Sequence, residues 1–181
     1  MKKIIGWKHL ELKGQQYTQL EWKEKTIVAK GRVEVEGSTG EVTTYCIEMD
    51  FSWYVKKVQV RNEESKKELC LTREEGRWVC QGDHLSYADQ AVDVDLSVTP
   101  FSNSLPINRL NWRTGEKRNF LMLYIDGRTL KTITVEQQYT YLGRTERGRQ
   151  FRYACKDYQT ILTVDDAGLV LEYPEVFIRT K

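Results

Sequence analysis

Asp93, Asp95 and Arg109 are the residues whose types and spacing are best suited to act together. They lie in the stretch 92–110, Val-Asp-Val-Asp-Leu-Ser-Val-Thr-Pro-Phe-Ser-Asn-Ser-Leu-Pro-Ile-Asn-Arg-Leu. Alternation places Val92, Val94 and Leu96 on one side of a strand and both acids on the other. Two carboxylates at that spacing could hold a hard cation through oxygen ligands. No further carboxylate clusters nearby, so the competing structural role is an ion pair with Arg109. A guanidinium carries five donors in a rigid fork and can bridge a carboxylate and loop carbonyls. The intervening loop holds Pro100 and Pro106, two of the three prolines. It is nonetheless apolar, with Phe101, Leu105, Ile107 and Leu110, whereas ordinary loops are polar and run over the surface. The loop is therefore expected to pack on the sheet, tied there by at least one Asp–Arg109 pair, and to fix Asn103, Asn108 and Arg109 in place.

Other chemistry is sparse. The two histidines, His9 and His84, have no His or Cys partner at metal-ligand spacing. The cysteines, Cys46, Cys70, Cys80 and Cys155, form no C-x-x-C pair, and no metal site or cofactor is expected. There is no nucleophile elbow, P-loop or dinucleotide-binding glycine motif. His84 and Ser86 lie close in sequence but have no visible third member, and triads are defined by geometry and not by sequence proximity. No catalytic residue is assigned. No zinc-finger, helix-turn-helix or RNP pattern marks a nucleic-acid reader. The net charge is +2, yet residues 109–156 carry eleven Lys and Arg against four Asp and Glu. Arg144, Arg147, Arg149 and Arg152 crowd one turn. Such a tip could meet an anionic headgroup, a phosphate or a nucleic acid, or it could be a solvated turn that keeps an edge strand from pairing.

The elements that would position these residues are strands. Tyr, Trp, Thr and Val favour a pleated, half-buried surface, and turn signals recur at 36–40, 74–76, 114–115, 126–127, 147–148 and 165–168. Alternating runs between them read as a meander of antiparallel hairpins. The clearest is 131–142, whose inner face carries Ile133, Val135, Gln137, Tyr139 and Tyr141. A buried Gln137 among aromatics needs a hydrogen-bond partner, which could be a side chain, a water or a ligand. Thr43, Tyr45, Ile47 and Met49 form a second inner face, and Ile27, Ala29, Gly31, Val33 and Val35 a third. Gly31 predicts a bend or bulge. The apolar phase shift at Lys56-Lys57 predicts another bulge. Phe120 to Ile125 is apolar on both faces and reads as covered on both sides. A turn or two within 103–110, limited by Pro106, is the best helix candidate. Trp7, Trp22, Trp53, Trp78 and Trp112 could line a groove or simply fill a core.

At 181 residues, 40% of them hydrophobic, the chain is expected to form one domain, 1–181, with a sizeable core. The expectation is all-β: roughly ten to twelve strands of about five to six residues in one highly curved antiparallel sheet, since so large a twisted sheet tends to curl into a barrel or half-barrel. No run approaches the ~18 apolar residues of a transmembrane helix. The opening segment reaches Lys8 and His9 before an apolar signal region forms, so a cytoplasmic location with reduced cysteines is expected.

Four segments resemble the bacterial family described as putative glycolipid-binding: the Trp7 to Leu10 opening, the 92–110 block, Gln138-Tyr-Thr-Tyr, and Gly168-Leu-Val-Leu-Glu-Tyr-Pro-Glu-Val-Phe-Ile-Arg179. In one departure, Gln90-Ala91 stand before the Asp-x-Asp strand where the family pattern has Gly-Cys, so no thiol role carries over. The resemblance implies a spiral β-roll similar to lipoprotein carriers of the bacterial envelope and to a violacein-pathway enzyme. It implies a non-catalytic binding protein that takes an amphipathic, lipid- or glycolipid-like ligand in a concave groove. The alternatives are a small biosynthetic enzyme on the same fold or a protein-interaction domain. The candidate ligand-binding residues are Asp93, Asp95, Asn103, Arg109, Gln137, Tyr139, Tyr141 and Trp53. The oligomeric state is left open.

Overall fold

A computed structural model describes residues 1–11, 13–35 and 42–181. The turn expected at 36–40 lies outside them. The first eight strands are β1 (Lys2–His9), β2 (Gly14–Trp22), β3 (Ile27–Val35), β4 (Val42–Met49), β5 (Val55–Asn62), β6 (Glu68–Glu74), β7 (Arg77–Cys80) and β8 (Asp83–His84). There follow β9 (Asp93–Leu96), helix α1 (Ser104–Arg109), β10 (Lys117–Ile125), β11 (Thr132–Thr145), β12 (Gly148–Cys155), β13 (Tyr158–Val164), β14 (Val170–Tyr173) and β15 (Phe177–Arg179). They form one sheet in the order β8-β7-β6-β5-β4-β3-β2-β1-β15-β14-β13-β12-β11-β10-β9. Two meanders, each zipped in sequence order, meet at the β1·β15 seam.

This corrects the expected spiral β-roll or half-barrel. The sheet is all-β and mostly antiparallel, but it is open, not strongly curled and not closed. Its ends are β8 and β9, and no ladder joins them. The physical reason lies in the end strands. β8 is two residues long, too short to template a partner. The chain leaves it through a single 3-10 turn at Ser86–Ala88 and returns as β9 at the far edge. Side chains take the place of a ladder there. Trp78 Nε1 donates to Ala91 O at 2.8 Å, and Arg73 donates to Val92 O at 2.8 Å.

The expected uniform antiparallel pairing is also corrected. β9 runs parallel to β10, with Asp95 opposite Tyr124. Parallel neighbours need a crossover of a dozen residues or more, and the apolar, proline-bearing stretch supplies it. Thr99 caps a 3-10 turn at Pro100–Asn103 by accepting from the Phe101 amide. α1 follows directly. Pro106 sits in its first turn, where the missing N–H costs nothing. Phe101 and Leu105 are fully buried in the larger core, and Ile107 in the smaller one.

The strand faces follow their alternation. Tyr45, Ile47 and Met49 are buried, as are Ile27, Ala29 and Val33. The register shift between β4 and β5 leaves Lys56 as the extra residue, as the phase change predicts. Gly31 forms no bulge. It pairs in register with Thr18 on one side and Tyr45 on the other. A Cβ there would fall inside the Tyr45 ring. The ring crosses the glycine so that its hydroxyl meets Thr18 Oγ1 at 2.5 Å and Thr99 Oγ1 at 3.0 Å. Burial pushes the Tyr45 hydroxyl up to about 12 against those two hydrogen bonds. The missing side chain thus makes room for the bond that pins the crossover to β4.

Candidate functional site

Asp93 and Asp95 both project toward the crossover side, while Val94 and Leu96 enter the large core. Arg109, at the end of α1, meets Asp93 through two bonds, Nε to Oδ1 at 3.2 Å and Nη2 to Oδ2 at 2.6 Å. The side chains are 8% and 1% exposed. The guanidinium also lies over Tyr54 at 5.2 Å and Phe120 at 5.8 Å. Burial pushes the Asp93 carboxyl up while Arg109 pulls it down; the burial effect is the larger. The expected Asp–Arg109 clamp on the crossover is present.

Asp95 has a different environment. Ser102 donates to Oδ1 at 2.9 Å, and Gln137 Nε2 donates to Oδ2 at 2.7 Å. Gln137 Oε1 accepts from Tyr139 OH at 3.2 Å, and Tyr139 accepts from Asn103 Nδ2 at 2.9 Å. The buried glutamine finds a side-chain partner, and the chain of bonds closes back on the crossover. Among the described residues Asp95 has no ion-pair partner. Burial pushes its carboxyl up, opposed only by the bonds from Ser102 and Gln137. Burial also raises Tyr139 well above its ordinary value.

Asp95 and Asn103 line a cavity of about 420 Å³ over the half of the sheet from β9 to β15. Tyr124 and Val135 come from β10 and β11, Tyr153 from β12, Tyr158 from β13, and Tyr173 from β14. Tyr153, Tyr158 and Tyr173 form a triangle with ring centroids 5.8–6.4 Å apart. Cys155 and the exposed Lys156 also line it, and Phe177, edge-on to His9, contributes from β15.

The cavity is not the concave groove of a β-roll, and a ligand site running along such a groove is thereby corrected. An open sheet offers no such groove; this cavity lies instead where Thr99 and Asn103 of the crossover face side chains of β10 to β15. Of the candidate residues, Asp95 and Asn103 reach the cavity, Gln137 and Tyr139 stand directly behind them, and Asp93 and Arg109 form the clamp. Tyr141 packs on Phe151 at 4.9 Å instead, and Trp53 on Phe101 at 6.3 Å. Trp7 and Trp78 are fully buried core. The sequence reading missed Tyr124, Tyr153, Tyr158 and Tyr173. The basic turn is half neutralised: of its four arginines, Arg144 meets Asp166 at 2.7 Å and Arg147 meets Glu172 at 2.6 Å. No group of three metal-ligating residues occurs among the described residues. No described helix is long and apolar enough to cross a membrane.

Fold and site together define an all-β protein with one open sheet and a tyrosine-walled cavity beside its crossover. More specifically, the chain belongs to the family described as "Putative glycolipid-binding", whose model matches residues 4–179. It is similar to a crystal structure of a DUF1089 family protein from Pseudomonas aeruginosa, 26% identical, covering 91% of this chain and 92% of that one, with a TM-score of 0.75. No curated protein matches it.

Proposed function

We propose that the protein binds, without transforming, a small amphipathic molecule in the cavity between the crossover and β10 to β15. The observation that carries this reading is the cavity's construction. Its volume falls in the usual range for small-molecule sites, roughly 300–1,000 Å³, and it joins apolar and aromatic walls to one polar end at Asp95 and Asn103. Aromatic rings give a ligand area at low entropic cost, and a few convergent polar groups fix its orientation. The hydrogen-bond chain Ser102–Asp95–Gln137–Tyr139–Asn103 holds those polar groups in place before any ligand arrives. The family description agrees with a binding role.

Ile133 lines the cavity but is half exposed, so it can be enlarged without disturbing the core. Titration calorimetry with a short-chain alcohol such as nonan-1-ol should show one-to-one binding to the wild type. Ile133→Trp should abolish it while leaving the thermal midpoint near that of the wild type. Equal binding by both proteins would overturn the reading, as would failure of the wild type to bind either this alcohol or a charged amphiphile of similar size.

A further inference from the structure

Asp95 is a carboxylate without a counter-ion at the end of an aromatic cavity. Both of its hydrogen-bond donors, Ser102 and Gln137, are neutral. The guanidiniums on neighbouring elements are committed elsewhere, Arg109 to Asp93 and Arg73 to the Val92 carbonyl. Lys156 lines the same cavity but is exposed and makes no ion pair with Asp95. An ionised carboxylate in such a place costs free energy until something positive answers it.

Three rings stand close by. Tyr153, Tyr158 and Tyr173 present a cluster of π-faces and edges at mutual distances of 5.8–6.4 Å. Ring faces attract cations, and a cluster of them is the usual recognition device for alkylated ammonium groups. Burial pushes the hydroxyls of Tyr153 and Tyr173 up, with smaller contributions from neighbouring tyrosines and from Asp95.

Resting on the binding reading above, we propose that the ligand carries an ammonium group, seated between the Asp95 carboxylate and the ring cluster of Tyr153, Tyr158 and Tyr173, with its apolar remainder toward Val135 and Ile133. An anionic amphiphile would meet Asp95 as a like charge. A neutral one would leave the carboxylate unanswered.

The test compares three probes of similar size by titration calorimetry at neutral pH: hexyltrimethylammonium, nonan-1-ol and octanoate. Hexyltrimethylammonium should bind about tenfold more tightly than nonan-1-ol, and octanoate should bind most weakly. Asp95→Asn and, separately, Tyr158→Leu should each erase the preference for the cation, weakening hexyltrimethylammonium about tenfold more than nonan-1-ol, with circular dichroism showing both folded. If nonan-1-ol or octanoate matches the cation on the wild type, the ammonium proposal falls while the cavity reading stands. A cation preference that survives in both variants also overturns it. If none of the three probes binds, the cavity reading fails and the proposal with it.

Discussion

The two ends of β9 place chemically identical groups in opposite surroundings. At Asp93 a buried guanidinium closes on the carboxylate from α1, with Tyr54 and Phe120 stacked on it. At Asp95, two residues on, the partners are a hydroxyl and an amide, and the space beyond is a cavity. One carboxylate is used up in holding the crossover down. The other remains available. The difference teaches that polar residues on one strand face need not share a role. What decides it is whether the facing element brings a charge or leaves a gap.

The comparison breaks most decisively at the clamp. Arg109→Ala leaves Asp93 buried and unpaired, which should cost about 3–5 kcal/mol in urea unfolding. Arg109→Lys should recover only part of this, because an ammonium lacks the planar fork. If Arg109→Ala proves as mild as a surface change, the two ends of β9 are energetically alike.

A smaller loss is expected behind the cavity. Gln137→Leu strips a donor from Asp95 and an acceptor from Tyr139, both buried, at a cost of roughly 1–3 kcal/mol. Thermal unfolding of this variant beside Gln137→Glu would show whether the amide's two bonds matter, since a second carboxylate next to Asp95 should be worse still.

Asp95→Asn should change stability in the opposite direction from Asp93→Asn. It removes an uncompensated buried charge and should stabilise the protein at neutral pH. The sign for Asp95 follows from its raised carboxyl pKa and its lack of an ion-pair partner among the described residues, whereas Asp93→Asn would strand the buried Arg109 guanidinium. The protonated folded form is favoured below the unfolded value, and that contribution is lost as pH rises through the folded value. The advantage of Asp95→Asn should therefore shrink as the solution is acidified. Denaturant unfolding of both proteins across acid to neutral pH would show it, and a gain that grows toward acid would contradict the assignment. Asp165 should behave the other way. Despite burial, its bonds from Arg179 and the Leu169 amide hold its carboxyl below the usual value, so its contribution is present above the unfolded value and disappears on acidification.

The smallest effect belongs to the basic turn. Arg147 is 72% exposed and its partner Glu172 is 32% exposed, so Arg147→Ala should stay within about 0.5 kcal/mol of the wild type. That near-silence is the baseline against which the clamp is measured.

Much of this contrast was legible in the sequence. Asp93 and Arg109 are joined by a short, stiffened segment, so their meeting follows from local geometry. That Gln137 needs a partner was foreseen, with a side chain among the candidates, but not that the partner is Asp95. That contact depends on β9 pairing with β10 in parallel, and parallel register leaves no turn signal. The hairpins could be read because period-2 alternation and turn residues are local. β7, β8, β14 and β15 have two to four residues each, too few to show a period, which is why fewer strands were expected than exist. Gly31 was misread because its explanation, the Tyr45 ring, comes from the next strand. The cavity tyrosines were invisible for the same reason. Tyr153 and Tyr158 flank a tight hairpin, a usable hint, but Tyr173 joins them only through the pairing of β13 with β14. Strong curling was expected from strand number alone, and strand number does not determine whether the edges meet.

The seam between the two meanders has a kinetic consequence. Every other ladder in the sheet except β9·β10 links strands joined by a short connection, so each can zip without closing a long loop. β1·β15, with Trp7 opposite Arg179, brings together residues more than a hundred and fifty positions apart, so the longest loop closure in the sheet falls on that one junction. Trp7 stands at it, its indole N–H bonded to the Val170 carbonyl across the join at 2.8 Å. Its indole is therefore fixed only when the two meanders have joined.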